Sequence, residues 1–478
     1  VDVNKTTGSI NLGANLTLLG ATSDLNLIAG SINCATFTLT VPRNFTQTTG
    51  AFSGGSNTNT VSGALTVSAG TFTSTSGSLV VPNGAITFAT GVFAHNNGTI
   101  SATGATSRTY AFNNNTINHL TLSGTTIATI VTFSQPFTIA GKFIYTLATL
   151  NLTTGTITVI GDLSARGLSV GTANYTFSGT GTQTIDCNAT TGNIGSLTIN
   201  KTGGSLNVTN APICIKNFTY TAGVVNWGTS TPKFGQVGVT NSPIITSNGL
   251  LYNNVEILTG TADTLTLAGD MIVTGNFTMS VANIINGSNF RLRGNITTAD
   301  TAITGTASTI IDGTINQTIG GVGTLPGNGT VETVINKISG VVNLTSNLSL
   351  SNTAQDLRIV DGDLSLNGFN LPVRDNLKIF DKLTLKGSEV ITVNLVTTPA
   401  ITNPLFTISA TSSTIEYTDS AVVGVVTKLS KTYYNLILGA GKIHEIATGV
   451  GNGITVSGVL SSNGSPASRS VLRSLANA

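Results

Sequence analysis

Apolar and polar residues alternate with period two from one end of this chain to the other. Leu16-Thr17-Leu18, Phe37-Thr38-Leu39-Thr40-Val41, Leu65-Thr66-Val67, Ile157-Thr158-Val159, Leu197-Thr198-Ile199, Leu265-Thr266-Leu267 and Leu383-Thr384-Leu385 each set aliphatic or Phe side chains on one face and Thr on the other. That is the pattern of strands buried on one side and wet on the other. Gly, Asn-Gly and Ser-Gly steps fall between them at intervals of about eight to twelve residues. Asn83-Gly84, Asn97-Gly98, Asn248-Gly249 and Asn367-Gly368 are examples, and they predict turns. No stretch carries an apolar i, i+3, i+4 pattern in helix-forming residues over three turns, because β-branched residues and Gly recur too often. The chain is expected to be all-β.

Short strands with Gly-rich turns fit either a parallel β-solenoid or a row of tandem β-sandwich modules. Sandwich modules bring aromatic anchors into each core, whereas this chain has one tryptophan, Trp227, and its inward positions read as mid-sized aliphatics. Such residues suit a narrow interior in which coils about 4.8 Å apart stack like on like. The expected fold is a solenoid of on the order of twenty coils.

The chain also repeats itself. Gly141-Lys142-Phe143, Gly161-Asp162-Leu163, Gly179-Thr180, Gln183-Thr184-Ile185 and Asn200-Lys201 return as Gly275-Asn276-Phe277, Gly294-Asn295-Ile296, Gly313-Thr314, Gln317-Thr318-Ile319 and Asn336-Lys337. Gln183 and Gln317 stand 134 positions apart, and the other pairs keep that offset to within a residue or two. One β-type block was copied, and stacked copies build surface and length more readily than a single catalytic cleft. The predicted organisation is one repeat-built array over 1–460, more charged over 354–390, followed by a polar tail or linker over 461–478.

Composition narrows the function. Only 8% of the residues are charged and the formal net charge is +2, which gives no field for recruiting nucleic acid or an anionic membrane. A surface of hydroxyl and amide groups resists self-association poorly, so such a protein is expected to be tethered or to assemble. The longest apolar runs are far too short for a transmembrane helix. The chain opens on Val1 with no signal segment, as expected of a mature secreted protein or of a fragment. Cys34, Cys187 and Cys214 permit one disulfide at most. Cys187 and Cys214 are about one coil apart and could face each other, although buried free thiols are the favoured reading.

Candidate chemistry is sparse. No Asp or Glu lies between Asp24 and Asp162, so more than a quarter of the chain supplies no carboxylate for acid–base work. Asp361 and Asp363 form the one close pair on a strand face and are the candidate metal ligands, although Asp361-Gly362-Asp363 also reads as a surface turn. His95, His119 and His444 occur singly, without metal-ligand spacing, and read as strand or turn residues. Gly320-Gly321-Val322-Gly323 lacks the following Lys-Ser of a phosphate cradle. No enzyme activity and no cofactor are expected. Asn-x-Ser/Thr sequons such as Asn4, Asn15, Asn44 and Asn343 occur about as often as this composition supplies by chance.

Phe177-Ser178-Gly179-Thr180-Gly181-Thr182-Gln183-Thr184-Ile185, followed by Leu197-Thr198-Ile199-Asn200-Lys201-Thr202-Gly203-Gly204, resembles a block common in large secreted bacterial surface proteins of the adhesin and autotransporter-passenger kind. The resemblance implies an extracellular, repeat-built, non-enzymatic protein. It covers most of residues 110–460 in diluted form, and the chain departs from those proteins in lacking a β-barrel translocator or a sorting domain. The expected function is a structural subunit that joins copies of itself into a fibre, filament or layer through β-edge or end-to-end contacts. Val1, Val3, Ile10, Leu12, Leu16 and Leu18 are the candidate assembly residues. Two alternatives stand beside it: an adhesin that binds glycans or a host surface through Tyr417, Tyr433 and Tyr434, and a trimeric phage or viral fibre.

Overall fold

Strand pairings throughout this computed structural model are parallel, and no helix occurs among the described residues. The strands stack as a β-solenoid of about 17 turns. The structure describes residues 1–124, 129–146, 149–152, 155–166, 174–187, 193–210, 213–214, 216–235, 242–258, 263–280, 284–299, 303–327, 331–350, 352, 355–375, 377–379, 381–385, 389–393, 405–408, 414–417, 426–429, 432–439, 443–446, 454–464 and 469–474. The chain forms two compact units, Val1–Pro232 and Lys233–Ala478.

In the first unit a coil is made of three short strands, such as Phe45–Gln47, Ala51–Ser53 and Asn59–Val61. The next coil, Leu65–Val67, Thr71–Thr73 and Ser78–Val80, lies on it in register, with Phe45 over Leu65, Phe52 over Phe72 and Asn59 over Leu79. Three residues suffice per strand because the alternation buries two or one of them and the Gly or Asn at each corner turns the chain. Leu79, Ile100, Leu120, Phe143, Leu163, Ile185 and Val208 form one continuous inward column across successive coils. Outward, Thr116, Thr138, Thr158, Thr176, Thr198 and Thr219 stack the same way.

The core departs from the aliphatic interior that the sequence suggests. Phe45, Phe52, Phe72, Phe88 and Phe93 pack ring against ring, and Phe112, Phe133 and Phe137 continue the contact. No two of them share a strand, so no local motif announces the row; only the coil period brings them together. Burying each such side chain is worth about 1.5–3 kcal/mol.

Corners leave backbone carbonyls outside the ladder, and buried polar side chains take them up. Gln47 Nε2 donates to Gly50 O, Ala69 O and Thr71 O at 3.1, 3.3 and 3.2 Å. The buried Arg108 guanidinium donates to Ala102 O, Gly104 O, Thr106 O and Ser123 O.

The second unit repeats the scheme. Val255, Phe277, Ile296, Ile319 and Leu344 form one column, and Met271, Phe290, Thr309, Thr333, Leu357 and Leu377 another. Toward its C-terminal side Leu371, Ile391, Ile415, Leu436 and Leu460 stack in turn. The segment after Ser461, expected as a polar tail, contains the strand Val471–Ser474, which pairs with Ile443–Ile446.

Candidate functional site

The copied block stacks in the same way in the two units. Phe143, Leu163 and Ile185 stack in the first as Phe277, Ile296 and Ile319 stack in the second. The block is therefore three successive coils. Its glycines permit close approach between them: a Cβ on Gly161 would lie 1.5 Å from Gly141 O, and one on Gly294 would lie 2.0 Å from Gly275 O. Asp162 Oδ1 accepts the Thr184 N–H at 2.8 Å, and Asn295 Oδ1 accepts the Thr318 N–H at 2.9 Å. An acid and an amide do the same work, which explains why charge is dispensable there.

Inside each copy lies a clasp that sequence reading missed. Lys201 and Lys337 are 2% and 0% exposed, and each faces a buried glutamine. Lys201 Nζ donates to Gly181 O at 2.8 Å and to Gln183 Oε1 at 2.5 Å. Lys337 Nζ donates to Gly313 O, Ile315 O and Gln317 Oε1 at 2.6, 2.8 and 2.5 Å. Burial lowers both lysines from their ordinary pKa, while the nearby Asp312 charge opposes the shift at Lys337. The signal was present in sequence as two lysines conserved in register within a charge-poor chain, each following a Gln-Thr-Ile by about one coil.

The charged section over 354–390 becomes a set of ion pairs between coils. Glu332 lies over Asp356, and Arg358 over Lys378. Lys378 Nζ donates to Glu332 Oε1 at 2.7 Å and to Asp356 Oδ2 at 2.6 Å, and Arg358 Nε lies 2.8 Å from Glu332 Oε2. These carboxylates raise the Lys378 pKa against its partial burial. Beside them, burial and the neighbouring Asp356 carboxylate hold the Asp375 carboxyl above its ordinary range. A second set joins Asp312 to Arg291 and Arg293.

Asp361 and Asp363 differ in their surroundings. Asp363 accepts from Lys382 Nζ and Thr384 Oγ1, both at 2.8 Å. Asp361 lies exposed, and Gly362 between them has φ +97° at a register shift. No group of three or more His, Cys, Asp or Glu fit to hold a metal occurs among the described residues. His95 Nδ1 caps its own turn by accepting the Asn97 N–H at 2.9 Å, and His119 Nδ1 accepts the Lys142 N–H of the next coil at 2.8 Å. The His444 side chain lies outside the described residues. Cys34 is a buried free thiol and Cys187 is buried, while the Cys214 side chain lies outside the described residues. No helix of the described residues is long and apolar enough to cross a membrane.

The candidate assembly residues meet different fates. Val3 is buried, Leu12, Leu16 and Leu18 are half-buried, and Val1 and Ile10 are exposed. Leu19, which sequence reading passed over, is 88% exposed. The strands of this first coil, Asp2–Asn11 and Leu16–Thr17, pair only with Leu25–Asn33 and Leu39–Val41 among the described residues. Of the candidate adhesive tyrosines, Tyr433 is buried and Tyr434 half-buried, while the Tyr417 side chain lies outside the described residues.

The fold defines the class as a β-solenoid repeat protein. Searches of protein families, curated proteins and solved structures find nothing that matches this chain.

Proposed function

We propose that this protein is an extracellular structural subunit that joins copies of itself end to end into a filament or layer. The observation that carries this reading is a pair of strand edges that are paired on one side only among the described residues and have exposed aliphatic side chains beside them. Val1, Ile10 and Leu19 project from the first coil of the first unit, and Val459, Leu460, Val471 and Leu472 from the last strands of the second. Those strands, Leu460–Ser462 and Val471–Ser474, also pair on one side only among the described residues. An open parallel edge with apolar side chains beside it is completed by a strand of the same kind, and a neighbouring copy supplies one. Contacts between two different ends leave each copy a free end, so they propagate wherever the rotation does not close a ring. Sedimentation velocity and negative-stain microscopy over rising protein concentration test the reading. Growing oligomers are expected; a monomer at every concentration would sink it.

The adhesin alternative loses support from the burial of Tyr433. A stable trimer by light scattering would favour the fibre of a phage or virus instead.

A further inference from the structure

Both interior lysines of the copied block press against a carboxamide that is itself immobilised. Gln183 Nε2 donates to Val159 O and Gly161 O, both at 2.8 Å. Gln317 Nε2 donates to Leu292 O at 3.1 Å and to Gly294 O at 2.7 Å. Each carboxamide is thus fixed by its nitrogen while its oxygen meets the lysine Nζ at 2.5 Å. The glutamines are as buried as the lysines, at 1% and 0% exposure. Amine and carbonyl are thus buried together and held at the high effective concentration of a preorganised intramolecular pair.

Burial works against the ammonium form of both lysines. Lys337 Nζ also donates to Gly313 O and Ile315 O, at 2.6 and 2.8 Å, so the amine is held in place against the Gln317 carboxamide.

We propose that Lys201 and Lys337 form intramolecular isopeptide bonds with Gln183 and Gln317, each joining two successive coils of the copied block. The lysine Nζ adds to the glutamine Cδ and the Cδ–Nε2 bond breaks. The departing nitrogen takes the two protons that the lysine ammonium gives up. An ammonium side chain and a carboxamide thereby become a secondary amide and an ammonium ion, with no oxidant, metal or second substrate. The two backbone carbonyls that hold Nε2 accept from it as it gains charge, which favours its departure. The buried glutamines Gln47 and Gln355 are internal controls. Their Nε2 groups donate to backbone carbonyls in the same manner, with no lysine among their hydrogen-bond partners in the described residues.

Intact-mass measurement of the folded full chain, followed by sequencing of its peptides, tests the proposal. The wild-type chain is expected to weigh two ammonia molecules less than its sequence. Lys201→Arg and Lys337→Arg are each expected to restore one, and the double variant both. Fragment ions should join the peptide of Gln183 to that of Lys201, and the peptide of Gln317 to that of Lys337. Arginine keeps a cation for the corner carbonyls but cannot condense, so folding and cross-linking are separated. Full sequence mass in folded wild-type protein overturns the proposal. So does a deficit that survives in the double variant, which would arise from cyclised Asn-Gly steps instead.

Discussion

Lys337 Nζ lies 2.5 Å from Gln317 Oε1 in the interior of the second unit, and Lys201 and Gln183 make the same contact in the first. A buried clasp has been copied together with the coils that surround it. Gln317→Leu removes the acceptor for Lys337 and the donors to Leu292 O and Gly294 O. The variant is expected to destabilise the second unit by about 3 kcal/mol. Urea unfolding followed by circular dichroism measures this, and a midpoint equal to that of the wild type would contradict it.

Gly50 has φ +79°, and a Cβ there would lie 2.1 Å from Gly30 O on the preceding coil. Gly13 has open space around its Cβ position and no left-handed backbone. Gly50→Ala is therefore expected to cost upward of about 2 kcal/mol, from left-handed strain and backbone overlap together. Gly13→Ala should leave the thermal midpoint within a degree or two, which is the scale of a surface change below about 0.5 kcal/mol. Equal effects at the two sites would refute this account of the corners.

Asp375 has a folded pKa raised above its ordinary value of 3.8, by burial first and by Asp356 next. The folded chain therefore binds this proton more tightly than the unfolded chain. Its contribution is most favourable below the unfolded value and is lost as pH rises through the folded one. Asp375→Asn should accordingly raise the thermal midpoint at pH 7 and give no advantage at pH 3. A variant that is less stable at neutral pH would show that the carboxylate serves the ion-pair set beside it.

Cys34 is fully buried, and its thiol is pushed up to about 11. It should resist a thiolate-directed reagent at pH 8 in the native protein and react once urea opens the first unit. Peptide mapping after labelling gives the answer; rapid native labelling at Cys34 would mean that these coils open readily.

Leu19→Asp combined with Leu460→Asp places a carboxylate at each terminal coil, where the wild-type chain exposes leucine. The double variant is expected to abolish concentration-dependent oligomers while keeping the β-type circular dichroism of the wild type. Oligomers that persist unchanged would place the assembly contact elsewhere.

Much of the fold is legible in the chain. Leu65-Thr66-Val67 has Leu65 and Val67 buried with Thr66 between them, as period two requires, and the Asn367-Gly368 step turns with positive φ at both residues. Charge was harder to place. Asp361 and Asp363 sit two positions apart, yet Asp363 turns to Lys382 on the following coil. Spacing along one strand says nothing of the strand laid above it. Tyr433 likewise alternates as a strand residue, and only packing put it inside.

The sequence by itself determined that strands are short, that corners fall at Gly and Asn, and that one block occurs twice, because these depend on local geometry and on an order written along one dimension. The tertiary structure alone decided which residues meet across a coil. The row of phenylalanines, the ion pairs from Glu332 to Lys378 and the clasp of Gln317 with Lys337 all join residues that are distant in sequence. Their contacts depend on the exact length of each intervening coil, and a shift of one residue would turn an inward side chain to the solvent face.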